Sequence, residues 1–236
     1  MGMELMQRKL RYSADRSFNL YHLCYYLSKN IQKDADQKLL LDFKRYEEPA
    51  VRRLLIEAID NLQYLNIDSD VMIVRALSSK EMKIGDWGSI ALDRLGLSLS
   101  DVYDCNYLPS IVYKTRKVPS MKTLTFAERK AALTDVYGFE VAEFEGYDKL
   151  LIIDDIVTTG STACAILTPI LKAFPQTQVT VFALGWTPTA KQQDYIQQQQ
   201  NRPMVVSEPE MPYGSVRKGY HDEDFENGET NVSIFA

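Results

Sequence analysis

The feature that most constrains this chain runs from Leu150 to Thr162, Leu-Leu-Ile-Ile-Asp-Asp-Ile-Val-Thr-Thr-Gly-Ser-Thr. The four leading apolar residues read as a buried strand, too short for a helix and without polar alternation. Two carboxylates follow at its C-terminal end, then two more apolar residues. A Thr/Gly/Ser loop then opens directly into a helical pattern over Ser161–Phe174. A buried strand feeding a helix through a tight loop is the building block of an α/β sheet. In open sheets of that kind, ligands bind in the crevice beyond the carboxyl ends of the strands.

The loop has the chemistry of a phosphate site. N–H groups at a helix start have no intrahelical acceptor and carry the positive end of the helix dipole. Thr158, Thr159, Ser161 and Thr162 add hydroxyl donors, and Gly160 allows close backbone approach and unusual dihedrals. Asp154 and Asp155 cannot serve a phosphate, because like charges repel. They suit the hydroxyls of a sugar, or a divalent cation held directly or through water. The segment therefore reads as a clamp for a 5-phosphorylated ribose. Singly, each feature also occurs in an ordinary strand, acidic turn and capped helix; the joint pattern carries the reading.

The rest of the chain supplies a frame. Asn19–Asn30 and Glu48–Leu65 carry apolar residues at helical spacing, the second with Val51, Leu54, Leu55, Ala58, Ile59 and Leu62 on one stripe and Pro49 in its first turn. Residues 1–68 thus read as an N-terminal helical part, a candidate hood. Val71–Ala76 and Ser110–Tyr113 read as strands, and Gln178–Leu184 as a buried parallel strand. Trp87–Leu95 reads as a helix ending at Gly96, and Thr189–Gln200 as a polar helix. Pro169 is expected to kink or disrupt the helix after Ser161. The alternation predicts a doubly wound, mostly parallel α/β sheet for residues 69–203, with helices on both faces and an N-terminal helical extension. Residues 204–236 form a C-terminal extension, and its acidic end, poor in apolar residues, reads as flexible.

Composition narrows the function classes. The chain has 236 residues, 45% hydrophobic and 25% charged, enough for a sizeable core without staples. A net charge of −5 disfavours nucleic acid as a partner. No apolar run is long enough to span a bilayer, so no membrane role is expected. Met1–Arg16 mixes charges early and lacks an apolar core, so no secretory signal is expected and the cytoplasm is the default. Cys24, Cys105 and Cys164 are scattered and read as reduced thiols, and with two histidines a zinc site is not expected. Within this acidic chain, Lys114, Arg116, Lys117, Lys122, Arg129 and Lys130 form a basic run, interrupted by Pro119 and Ser120.

Leu150–Thr162 resembles the phosphoribosyl pyrophosphate signature of type I phosphoribosyltransferases: four apolar residues, two acids, two apolar residues, then Thr-Thr-Gly-x-Thr. Other segments resemble the ComF-like (competence protein F) branch. Leu41–Tyr46 with Leu54–Leu55 resembles its Lys-aromatic element and following helix; Leu124 with Glu128–Arg129 resembles its basic segment; Tyr137–Phe139 resembles its Gly-x-Phe step. The likeness covers about residues 38–186, and only the signature is highly specific. The chain departs from the branch in lacking the zinc ribbon. It carries Ile84-Gly85-Asp86-Trp87-Gly88 where an Arg-Gly-Phe-Asn-Gln-like segment is usual. Met121 stands where Gln is expected, and Ala132 where Asn is expected.

The resemblance implies a type I phosphoribosyltransferase fold and, with Mg2+, transfer of phosphoribosyl from phosphoribosyl pyrophosphate to a nitrogenous base with release of pyrophosphate. Asp154 and Asp155 would hold the sugar and the metal. A second loop would hold pyrophosphate after the first core strand. Arg75, Ala76, Leu77 and Lys80 stand there, the cations for phosphate oxygens and the backbone of Ala76 and Leu77 as donors. Family enzymes close a mobile basic loop over the leaving group, and Lys114–Lys122, with Lys114, Arg116 and Lys117, is the candidate. The product class would be a nucleoside 5'-monophosphate, and a homodimer is common for the fold. The same clamp also suits a non-catalytic nucleotide sensor in regulation or DNA uptake, because fold and ligand site do not fix function.

Overall fold

The structure, a computed structural model, describes residues 2–27, 34–85, 90–118 and 126–200. Its main sheet has six strands. In chain order these are β1 (Met6–Arg11), β2 (Ser17–Tyr25), β3 (Val71–Arg75), β4 (Asn106–Tyr107), β7 (Lys149–Val157) and β8 (Gln178–Trp186). Their order across the sheet is β1-β2-β8-β7-β3-β4. All neighbours run parallel except β1, which is antiparallel to β2. A separate antiparallel pair joins β5 (Val112–Lys114) to β6 (Tyr137–Phe139).

One face of the sheet is covered by α1 (Ala35–Lys44), α2 (Glu48–Leu62) and α3 (Ile90–Tyr103). The other is covered by α6 (Ser161–Ala173), the β5–β6 pair, the end of α4 (Phe126–Leu133) and the short α5 (Val141–Phe144). A last helix, α7 (Ala190–Gln200), follows β8. The α/β class with a mostly parallel sheet between two helical layers is therefore as the alternation predicts. Strand β7 shows how the layers are built. Its residues alternate faces with a period of two, so Leu150 and Ile152 enter the α6-side core while Leu151 and Ile153 enter the α1-side core.

Two local expectations are corrected, and a third in part. Asn19–Asn30 does not begin as a helix: Ser17–Tyr25 is β2, an interior strand between β1 and β8. Leu20 and Tyr21 are buried on opposite faces, so the run lacks the polar alternation that marks a strand and imitates helical spacing. Gly96 does not end a helix but lies inside α3. A Cβ there would meet the Tyr107 ring at 2.3 Å, so the glycine serves close packing against β4. Pro169 lies within α6, which continues to Ala173. The helix expected over Glu48–Leu65 forms over Glu48–Leu62, with Pro49 in its first turn. The C-terminal extension 204–236, with Tyr213 and Tyr220, and the segment 119–125, with Lys122, lie outside the described residues. No described helix is long and apolar enough to cross a membrane.

Candidate functional site

Strand β3 stops at Arg75, opposite Ile153, while β7 runs on through Asp154 and Asp155 alongside β8 to Val157. This step in the sheet opens a crevice at the carboxyl edge, and the Thr158–Thr162 loop closes one side of it. Gly160 caps α6 with φ +73°. A Cβ there would also lie 2.0 Å from Leu10 Cδ1 of β1, so glycine is required both by the backbone and by the neighbour. The first helical bond runs from the Cys164 N–H to the Gly160 carbonyl at 2.9 Å. The N–H groups of the first turn, from Ser161 on, precede that ladder and point out of the helix start. Thr159 and Ser161 share a hydroxyl–hydroxyl bond of 2.8 Å at the loop's surface. A cavity of about 60 Å³ lies here, lined by Thr158–Thr162, Asp154 and, from α4, Leu133.

The two acids do not act as twins. The period of two continues past Ile153, and Asp154 turns to the α6 side, where it lines the cavity. Asp155 turns to the α1 side, where its Oδ2 lies 2.8 Å from Lys44 Nζ at the last turn of α1. Each carboxyl is oriented by the chain itself. The Asp155 N–H donates to Asp154 Oδ1 at 2.8 Å, and the Ile156 N–H donates to Asp155 Oδ1 at 2.6 Å. Burial, and then the neighbouring charge of Asp155, hold the Asp154 pKa well above the usual carboxylate range. Asp154 is thus biased toward its protonated form, able to donate as well as accept a hydrogen bond.

The second loop is corrected. Arg75 is fully buried and its guanidinium is saturated. Nε and Nη2 donate to Asp93 at 2.6 and 3.2 Å, Nη1 and Nη2 donate to Glu81 at 3.1 and 2.6 Å, and Nη1 also reaches the Ala76 carbonyl. Arg75 therefore builds the loop from inside instead of presenting cations to a ligand. The Ala76 N–H is spent on the Ile153 carbonyl at 2.9 Å, extending the β3–β7 ladder. Ala76 and Leu77 have buried side chains, while Lys80 is exposed.

The basic segment divides likewise. Lys114 is buried in β5, with its Nζ donating to the Ser78 and Leu77 carbonyls. Burial pushes its ammonium pKa down to about 8. It anchors the second loop and cannot belong to a closing flap. Arg116 is exposed, with Nη2 donating to the Ala132 and Thr134 carbonyls at 3.1 and 3.2 Å, and Lys117 is exposed. Trp186 is buried in an internal stack, the Arg8 guanidinium 3.6 Å from its ring centre and His22 and Tyr25 beside it.

The hard-oxygen donors suit magnesium, which is typically held by one or two carboxylates together with substrate phosphates. Of the two acids, Asp154 lines the cavity, and it would have to give up its proton to hold such an ion. Among the described residues no three His, Cys, Asp or Glu side chains converge, so the chain offers no all-protein cage there.

Sequence reasoning left Lys44 without a role in the site, and it missed Leu133 and Leu10 altogether. All three come from elements distant in the chain, and only the fold brings them to the loop. Compared with known proteins, the chain matches no family model and no curated sequence.

Proposed function

We propose that this protein binds phosphoribosyl pyrophosphate or a nucleoside 5'-monophosphate at the carboxyl edge of the sheet. The 5-phosphate would sit on the Thr158–Thr162 loop and the ribose hydroxyls on Asp154. The observation that carries the reading is the shared cavity: the helix-start loop with its hydroxyls and the carboxyl of Asp154 face one small space. A helix N-terminus stabilises the phosphate charge, while a carboxyl biased toward protonation hydrogen-bonds a hydroxyl without strongly repelling that phosphate.

As an enzyme, the protein would transfer phosphoribosyl to a nitrogenous base. The C1–O bond to pyrophosphate breaks, a C1–N bond forms, and the nitrogen's proton passes to solvent. The ring becomes oxocarbenium-like on the way, as in glycoside chemistry. The oxygen dipoles of the Asp154 carboxyl, which lines the cavity, favour positive charge on the ring. Magnesium on the pyrophosphate would supply neutralisation of the leaving group, and of the cations expected for it Lys80, Arg116 and Lys117 are exposed. The second reading is a non-catalytic nucleotide-binding protein of regulatory or DNA-uptake type. The engagement of Arg75 and Lys114 inside the scaffold favours it, because two cations expected for the leaving group are already occupied.

Calorimetric titration with phosphoribosyl pyrophosphate, with and without magnesium, tests the binding. Saturable binding lost in Asp154→Ala, with the fold retained, supports the clamp, and a folded protein that binds neither this compound nor a nucleoside monophosphate removes it. Pyrophosphate release on adding purine or pyrimidine bases then separates enzyme from sensor.

A further inference from the structure

Resting on that reading, we propose that Lys44 is the resident counter-ion of the acid pair, and that it lets the site take a phosphorylated ribose without a divalent cation. Lys44 Nζ lies 2.8 Å from Asp155 Oδ2, and among the described residues it is the one cation within ion-pair distance of either acid. Asp155 cannot swing away from it freely, since its other oxygen accepts the Ile156 N–H at 2.6 Å.

The placement is built in. Leu40 lies over Gly185, where a Cβ would come within 2.5 Å of Leu40 Cδ2. Gly185 is the register partner of Ile156, next to Asp155. Lys44 is one helical turn beyond Leu40, on the same face of α1. The seat of Leu40 on a bare backbone therefore sets the reach of Lys44. The cation also stands in the last turn of its helix, where the helix dipole favours positive charge.

The consequence is electrostatic. A phosphate dianion on the Thr158–Thr162 loop must come near the Asp155 carboxylate, only partly exposed beside Lys44, and that charge, left uncompensated, opposes it. Lys44 cancels the charge on Asp155. Without it, that compensation must come from a bound divalent ion.

The experiment is calorimetric titration of the full chain with ribose 5-phosphate, in chelator and then in magnesium, for wild type, Lys44→Met and Lys44→Arg. Wild type is expected to bind in chelator. Lys44→Met is expected to lose at least tenfold in chelator and to recover most of that loss in magnesium, while Lys44→Arg stays within a few-fold of wild type in both. Lys44→Met binding like wild type in chelator overturns the counter-ion role and leaves the phosphate clamp standing. Equal weakening of Lys44→Met with and without magnesium also overturns it, since a merely structural lysine gives that result. Absence of binding by wild type in both conditions removes the clamp itself and this inference with it.

Discussion

Leu40 Cδ2 packs against the bare backbone of Gly185, 2.5 Å from where a Cβ would stand. That contact joins a helix of the α1 layer to the strand beside Asp155. Gly185→Ala is expected to force Leu40 off its rotamer or lift α1, a small overpacking that costs about 1–3 kcal/mol. Thermal unfolding should report it as a Tm lower by several degrees. The same variant should weaken binding of ribose 5-phosphate in chelator, because Lys44 moves with Leu40. An unchanged Tm would mean that α1 is not seated on the strand as described.

Asp154 gives the pH dependence its sign. Its pKa in the folded state lies above the unfolded value, so the fold favours the protonated form. Stability from this group is present at pH below the unfolded value of 3.8 and is lost as pH rises through the raised folded value. Asp154→Asn mimics the protonated form and removes the loss. The variant is therefore expected to match wild type near pH 4 and to exceed it in Tm at pH 8, by about 2–4 °C for each kcal/mol recovered in a chain of this size. Unfolding curves at the two pH values decide the matter: an equal difference at both would show that Asp154 does not titrate in the fold.

Arg75 separates scaffold from ligand contact. Arg75→Leu leaves Glu81 and Asp93 facing each other without their shared cation, with Glu81 fully buried. Breaking a buried pair in this way costs about 3–5 kcal/mol. Denaturant unfolding should show the midpoint fall accordingly. A variant as stable as wild type but deficient in ligand binding would return Arg75 to the ligand site.

Much of this was legible in the sequence because it is local. Leu150–Thr162 states its strand, loop and helix in consecutive residues, and Glu48–Leu62 states its helix by an uninterrupted stripe. What was not legible is long-range. Ser17–Tyr25 reads ambiguously because a strand with neighbours on both edges and cores on both faces has no polar side to alternate with. Arg75 reads as a ligand cation from its position after a strand, and only the fold shows Glu81 and Asp93 converging on it. Gly96 reads as a helix stop, and only Tyr107 explains why it is a contact. The different directions of Asp154 and Asp155 follow from the period of two, but which side holds the cavity depends on where α6 and α1 pack.

Gly160 combines two requirements that a double-mutant cycle can separate. Its φ of +73° disfavours any Cβ, and Leu10 Cδ1 occupies the space the Cβ would enter. Gly160→Ala is expected to cost about 1–2 kcal/mol for the left-handed backbone alone, plus the clash with Leu10. Leu10→Ala removes the clash but not the backbone strain, at the expense of its own core packing. The cost of Gly160→Ala should therefore be smaller in the Leu10→Ala background by roughly 1 kcal/mol, within the range of coupling seen between residues in contact, yet should not vanish. Chemical denaturation of the four proteins measures it. Strict additivity would show that β1 does not press on the loop, and that the phosphate site is shaped by α6 and β7 alone.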